Sequence, residues 1–298
     1  MSQPRVLVLG AGGMLGHKMF QTAVATFPDT WGTLRETIDA YPVAGINEFR
    51  SKKIVERCDA MDLGSIDVLL DKLRPDAVIN CVGIIKQRPA AYDAITSITV
   101  NSLLPYRLAA KLDEWGGRLI HVSTDCVFDG SRGSYTELDR TDATDLYGRT
   151  KALGEVTSSN SVTLRTSIIG RELREHRSLL DWFLSQTGRK VVGYRQAWWS
   201  GVTTNHLADL ISSLIERHST LSGLFQVSSR RMSKYDLLQL IRKAYALEID
   251  IEPDDGLVID RSLTGDKLET AIGYRCPPWS ELLSKLVSDP TAYQTAKP

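Results

Sequence analysis

A short apolar run, Arg5-Val6-Leu7-Val8-Leu9, breaks at once into Gly10-Ala11-Gly12-Gly13-Met14-Leu15-Gly16. An apolar helical pattern follows through Met19, Phe20, Ala23 and Val24. β-Branched residues favour a strand, glycines a tight turn, and the 3.6-residue spacing a helix. In that order they open a βαβ unit, which commits the chain to a parallel sheet covered by helices. Gly10, Gly13 and Gly16 stand in the spacing G-x-x-G-x-x-G. Side chains at such positions obstruct the turn, the approach of a pyrophosphate to the backbone, or the packing of helix on strand. The helix start beyond them, at Met14 and Leu15, offers free N–H groups to phosphates. A glycine turn without a ligand is the bland alternative. The strand before it and the amphipathic helix after it favour a dinucleotide site.

The alternation continues. Strands are expected at 31–34, 77–82, 118–122 and 162–169, and helices at 67–73, 101–115 and 147–156. Together they predict a Rossmann-type, doubly wound parallel α/β sheet over residues 1–170. Beyond Gly170, helices are expected near 179–184, 208–216, 234–245 and 280–287, with an acidic, turn-rich stretch at 249–265. This half reads as a smaller C-terminal substrate-binding lobe, 171–298, from which a segment near 190–225 returns to the sheet.

Composition narrows the function classes. Among 298 residues, 36 Lys and Arg balance 36 Asp and Glu, for a formal net charge of +0. That argues against a strongly basic nucleic-acid surface. Cys58, Cys81, Cys126 and Cys276 are scattered, with no C-x-x-C pair, so neither a zinc site nor a disulfide framework is expected. The five histidines show no H-E-x-x-H spacing, and no metal is assigned. No apolar run approaches the roughly 20 residues of a membrane helix. The N-terminal apolar run ends in glycines rather than in a cleavage site. The expectation is a cytoplasmic protein with neither a nucleic-acid nor a membrane partner.

The end of the second strand reads Thr33-Leu34-Arg35-Glu36. An Arg there accommodates a ribose 2′-phosphate, whereas an acidic residue binds a 2′-hydroxyl. Arg35 favours NADP(H) over NAD(H), and a boundary one residue later, at Glu36, reverses the preference. Asp62, followed by Leu63, either faces the adenine or is a solvated turn carboxylate.

Tyr147-Gly148-Arg149-Thr150-Lys151 places a phenol and an ammonium four residues apart, on one face of a helix. A cation beside a phenol favours the phenolate and brings it into range for acid–base work. Y-x-x-x-K alone usually marks a surface helix. Here it lies one helix beyond Ser123-Thr124-Asp125, at the C-terminal end of a strand, where a hydroxyl can hold a carbonyl oxygen.

With these residues the chain resembles the extended short-chain dehydrogenase/reductases, and within them the dTDP-4-dehydrorhamnose reductase-like branch. Shared motifs include Asn80-Cys81-Val82-Gly83, Asn101 with Pro105, and the run from Val122 to Gly130. They continue with Asp145 to Glu155, Leu164-Arg165-Thr166, and Asp260 to Leu263. The resemblance implies hydride transfer from NADPH to C4 of a nucleotide-linked 4-ketosugar. Tyr147 would donate the proton, Lys151 tune it and hold the ribose, and Thr124 position the carbonyl. Cys81, Val82 and Gly83 would face the cofactor. Lys86, Asn101, Asp125, Cys126, Arg171, Trp199 and Arg261 become candidates for contact with the nucleotide-sugar. Arg261 is either a phosphate ligand or a partner of Asp254, Asp255 or Asp260, and Trp198-Trp199 read as packing before base stacking. The resemblance also implies a homodimer through the helices carrying Asn101 and Tyr147.

Two alternatives stand beside simple reduction. The residue after Thr124-Asp125 is Cys126, not the Glu of the related dehydratases. A cysteine there resembles the epimerase–reductases of the GDP-fucose synthase type, with His176 in the right general loop. The other alternative is a non-catalytic, NADP-binding regulatory subunit.

Overall fold

The computed structural model describes residues 3–41, 47–50, 53–85 and 93–293. Strands β1 (Val6–Leu9), β2 (Thr30–Thr33), β3 (Ile54–Val55), β4 (Ala77–Asn80), β5 (Arg118–Thr124) and β6 (Ser161–Thr166) alternate with helices. The helices are α1 (Met14–Thr26), α2 (Leu63–Leu73), α3 (Ala94–Ile98), α4 (Leu104–Asp113) and α5 (Leu146–Leu153). β1 and β4 are buried along their whole length, as expected of strands covered on both faces.

The expected helix at 101–115 is the latter part of a longer helical stretch, from Ala94 to Asp113, made of three pieces. α3 runs into a π-helical turn, Thr99–Leu103, before α4 begins with a proline in its first turn. Such a turn inserts an extra residue into the helix and is frequent at functional sites. Asn101 lies in it.

Beyond Gly170 come β7 (Ile168–Ile169), α6 (Leu179–Leu184), β8 (Lys190–Tyr194), β9 (Ala197–Trp199), β10 (Val202–Thr203), α7 (Thr204–Arg217) and β11 (Gly223–Gln226). The chain ends with β12 (Met232–Ser233), α8 (Lys234–Ala244), β13 (Asp250–Asp254), β14 (Ile259–Asp260), α9 (Asp266–Ile272) and α10 (Trp279–Val287). The main sheet has seven strands in the order β11-β6-β5-β4-β1-β2-β3, all parallel. α7 packs on α1, and β11 extends the sheet beyond β6, so residues 202–226 belong to the sheet layer. β8 and β9 do not return with them; they pair with β13 and with β12 and β14 in the second lobe.

The stretch read as turn-rich at 249–265 contains β13, whose Ile251 is buried, like Ile249 just before it, while Asp250 and Glu252 face out. Acidic residues and Pro253 obscure the alternation. The strand tolerates the proline because only β8 pairs with it. The second lobe has its own core of Phe183, Trp199, Leu237, Ile241, Ile251, Trp279 and Leu282. Between β1 and β4 the strand order reverses direction. There a cleft opens at the C-terminal strand ends, as in other open α/β sheets.

Candidate active site

The cleft encloses about 900 Å³. Its floor is the glycine turn. Gly10, Gly12, Gly13, Met14 and Leu15 line it, and Gly13 caps α1 without any side-chain hydrogen bond. α2, α5, α6, α7 and α8 are capped by Asp62, Asp145, Ser178, Thr203 and Ser233, respectively. At α1 no capping side chain takes the first-turn N–H groups, and these line the cleft, where they are left for an external anion, as suits a cofactor pyrophosphate. Gly16 lies below the floor. A Cβ there would run into the Gly10 carbonyl, so this glycine serves the packing of helix on turn.

One side wall comes from the β4 end, with Cys81, Val82 and Gly83 lining the cleft. Asn80 Oδ1 accepts from Val82 N at 3.1 Å, and Asn101 clamps Ile84, accepting from its N at 2.9 Å and donating to its carbonyl at 3.2 Å. Asn101 also donates to Thr150 Oγ1 at 3.2 Å, tying the loop after β4 to α5. Its side chain is thus committed to positioning the wall. Burial pushes the Cys81 thiol up to about 12.

Arg35 and Glu36 both line the cleft beyond β2, with Arg35 exposed and 3.6 Å from the Glu36 carboxylate. Asp62 and Leu63 are placed outside the wall. The Asp62 carboxylate caps α2 by accepting from Ser65 N at 3.0 Å, and Asp59, Ala60 and Met61 face the cleft in their stead.

The reacting end lies where β5 stops. Thr124 Oγ1 accepts from Cys126 N and donates to Asp125 Oδ1, each at 3.1 Å. α5 is brought against this turn by Gly148, where a Cβ would strike the Cys126 carbonyl. The next residue toward the N-terminus, Tyr147, therefore brings its phenol to Thr124, and burial, outweighing the Thr124 hydroxyl, holds that phenol above its ordinary value. Lys151, one turn on and 4% exposed, donates to the Val122 carbonyl at 2.7 Å. Burial lowers its ammonium to about 8.

His121 lies beneath Lys151, its Nε2 3.4 Å from Nζ and its Nδ1 3.2 Å from the Asn80 amide nitrogen. Asn80 Oδ1 already serves Val82, so its amide donates to Nδ1 and the imidazole proton sits on Nε2. The 3.4 Å approach is then a packing contact. Burial, then the Lys151 charge, keep this imidazole neutral.

The second lobe closes the far side with Glu172, Arg174, Arg177, Ser178 and Lys234. Arg174 stands 5.0 Å from the Tyr41 ring centroid, and Tyr41 sits directly over Gly12. None of these belongs to a motif, and their only sequence signal is proximity to β7 and to the start of α8. Lys234 faces Asp125 and Cys126.

Three expected substrate contacts are placed elsewhere. Arg171 pairs with buried Asp181 and stacks on Tyr293. Trp199 is 2% exposed and packs on Trp279 at 5.4 Å. Arg261 donates to the carbonyls of Phe128 and Asp129 at 2.9 and 3.2 Å. His176 is turned toward Asp181, 3.7 Å away, and does not line the cleft. Lys86 lies outside the described residues. Among the described residues no helix is long and apolar enough to cross a membrane, and no three candidate metal ligands cluster.

The family pattern of the RmlD substrate binding domain matches residues 4–290. A dTDP-4-keto-6-deoxy-D-glucose reductase of Streptomyces niveus is 30% identical over 245 residues, spanning 79% of this chain and 77% of that protein. Methionine adenosyltransferase 2 subunit beta of Danio rerio is 26% identical over 257 residues, spanning 82% and 74%. The crystal structure of dTDP-4-dehydrorhamnose reductase from Bacillus anthracis in complex with NADP shares the fold, with a TM-score of 0.76. At 19% identity it covers 96% of this chain, which covers 99% of it.

Proposed function

The chain belongs to the RmlD substrate binding domain family, and on that premise we propose that it is an NADPH-dependent reductase of a nucleotide-linked 4-ketosugar. The observation that carries this reading is the Tyr147 phenol beside Thr124, with Lys151 one turn along, lining a cleft floored by the uncapped start of α1. NADPH, when bound, supplies the hydride. The α1 N–H groups hold its pyrophosphate, Cys81 to Gly83 flank it, and Arg35 meets the 2′-phosphate. Thr124 and Tyr147 hold the ketone oxygen between two hydroxyls.

Burial keeps the phenol protonated at neutral pH, which is the state a proton donor needs. As the C4 oxygen gains charge, Tyr147 passes its proton to it. The Lys151 ammonium then stabilises the phenolate left behind. The test is loss of NADPH absorbance with a panel of dTDP-, UDP-, GDP- and CDP-linked 4-keto-6-deoxysugars. Turnover of at least one is expected, and turnover of none overturns the reading.

A second reading is favoured by the kinship with the methionine adenosyltransferase beta subunits. On it, the chain binds NADP and serves a partner enzyme without catalysis. Absence of turnover together with a stable complex with a methionine adenosyltransferase catalytic subunit would establish it. The intact Thr124, Tyr147 and Lys151 count against it.

A further inference from the structure

Lys234 is the first residue of α8, and several observations meet at its ammonium. It lines the cleft beside Thr124, Asp125, Cys126 and Tyr147. It stands 4.3 Å from the Trp199 ring centroid, and among the described residues no hydrogen-bond acceptor meets it. A cation at a helix N-terminus opposes the helix dipole, so the position is unfavourable for α8 itself. The indole face offsets part of that cost.

Across the gap, Asp125 is 6% exposed; burial raises its carboxyl above the ordinary value, the Lys234 charge is the first influence against that, and the two do not close an ion pair. Its Oδ1 lies 3.1 Å from Thr124 Oγ1, so it stands beside the residue whose hydroxyl turns to the ketone oxygen when the sugar is bound. A donor-only group and an acceptor-only group therefore face each other at the reacting end of the cleft. The group that satisfies both at once is a hydroxyl, which accepts from the ammonium and donates to the carboxylate. In a 4-ketosugar the hydroxyl next to the reacting carbon is on C3, because C5 carries the ring oxygen.

We propose that Lys234, together with Asp125, binds the 3-hydroxyl of the sugar, so that the site selects 4-ketosugars that keep this hydroxyl over their 3-deoxy counterparts. The assignment rests on the reductase reading, and it names a specificity residue in the second lobe. The experiment compares kcat/KM for one accepted nucleotide-linked 4-keto-6-deoxysugar and for its 3-deoxy analogue. The wild-type protein is expected to prefer the hydroxylated sugar by about 10- to 100-fold, as for a hydrogen bond to charged groups.

Lys234→Met, and in parallel Lys234→Gln, should lose most of that preference while binding NADP(H) as the wild type does. Lys234→Arg should keep part of it. A role confined to folding would lower both substrates alike and leave the preference intact. Full preference in a folded Lys234→Met or Lys234→Gln protein overturns the assignment alone. A wild-type protein that turns over no 4-ketosugar overturns the reductase reading and this assignment with it.

Discussion

The sheet and the second lobe each supply a wall of the cleft, and they do so by different construction. On the sheet side, Gly10 to Leu15, Cys81 to Gly83 and Thr124 to Cys126 each continue one buried parallel strand. Strand register fixes their heights relative to one another, and neighbours in sequence are neighbours in the cleft. On the second-lobe side, Glu172, Arg174 and Lys234 come from a loop and a helix start held together by the core around Trp199, Trp279 and Leu237. Their positions depend on packing between distant segments. A wall built from strand ends reads as motifs, and a wall built by packing does not. The sheet wall should accordingly carry the shared chemistry and the second-lobe wall the choice of substrate.

The sharpest way to break this division is Tyr147→Phe. The change removes the proton donor and leaves the ring, so reduction should fall about 10²- to 10⁴-fold. NADP(H) binding, followed by fluorescence, should be nearly unchanged. Retained activity would mean that a second-lobe group donates the proton and that the division of labour is wrong. Lys234 is the group to examine in that event.

Next comes Arg171→Ala, in the second lobe. Arg171 spans from buried Asp181 to the Tyr293 ring. Its loss leaves a carboxylate that is 2% exposed, still held by Glu172 N at 2.6 Å. Removing one partner of a buried pair costs up to about 3–5 kcal/mol. The remaining hydrogen bonds bring the expected loss to about 2 kcal/mol, a fall of several degrees in melting temperature. KM for the sugar should hardly move. A raised KM with an unchanged melting temperature would return Arg171 to the substrate site.

These contrasts also explain what was legible beforehand. Five of the seven parallel strands, β1, β2, β4, β5 and β6, announce themselves because buried strands are apolar runs, and the glycine turn and Tyr147-Lys151 stand where local spacing demands them. β3, two half-buried residues, and β11, half-buried at its start, escape that reading, as do the second-lobe strands, β13 being acidic and interrupted by Pro253. The arginines at 171 and 261 drew attention as cations beside recognisable segments, but each is spent on protein partners that only the tertiary fold supplies. Lys234, Arg174 and Tyr41 are the reverse case: unremarked in sequence, they are carried to the cleft by packing. His121 shows a third kind, a strand residue whose place under Lys151 follows from register between β4 and β5.

A smaller effect is expected at Arg35, at the rim of the sheet wall. Arg35 and Glu36 both line the cleft, 3.6 Å apart. If Arg35 meets the 2′-phosphate, Arg35→Ala should raise KM for NADPH about 10-fold and leave KM for NADH within about twofold, as for one charge-assisted contact. The ratio of the two constants is the measurement. An unchanged ratio, together with loss of NADH use in Glu36→Ala, would assign the ribose to Glu36 and reverse the cofactor preference.

The mildest expectation concerns pH, and it separates two lysines with similar surroundings but different walls. Burial lowers both Lys151 and Lys234 to about 8, so each loses its proton as pH rises through that value. Tyr147 is raised and contributes no change in this range. The charged form of Lys151 is the one that supports proton transfer. Reduction should therefore be flat below pH 7 and decline above 8, with about a threefold loss between pH 7.5 and 8.5. At saturating sugar the limb belongs to Lys151, since Lys234 acts on sugar binding. Lys234→Gln should leave it in place, and Lys151→Arg should move it to higher pH. A limb that vanishes in Lys234→Gln would instead place the titrating group of the chemical step in the second lobe, with the two walls sharing the proton work.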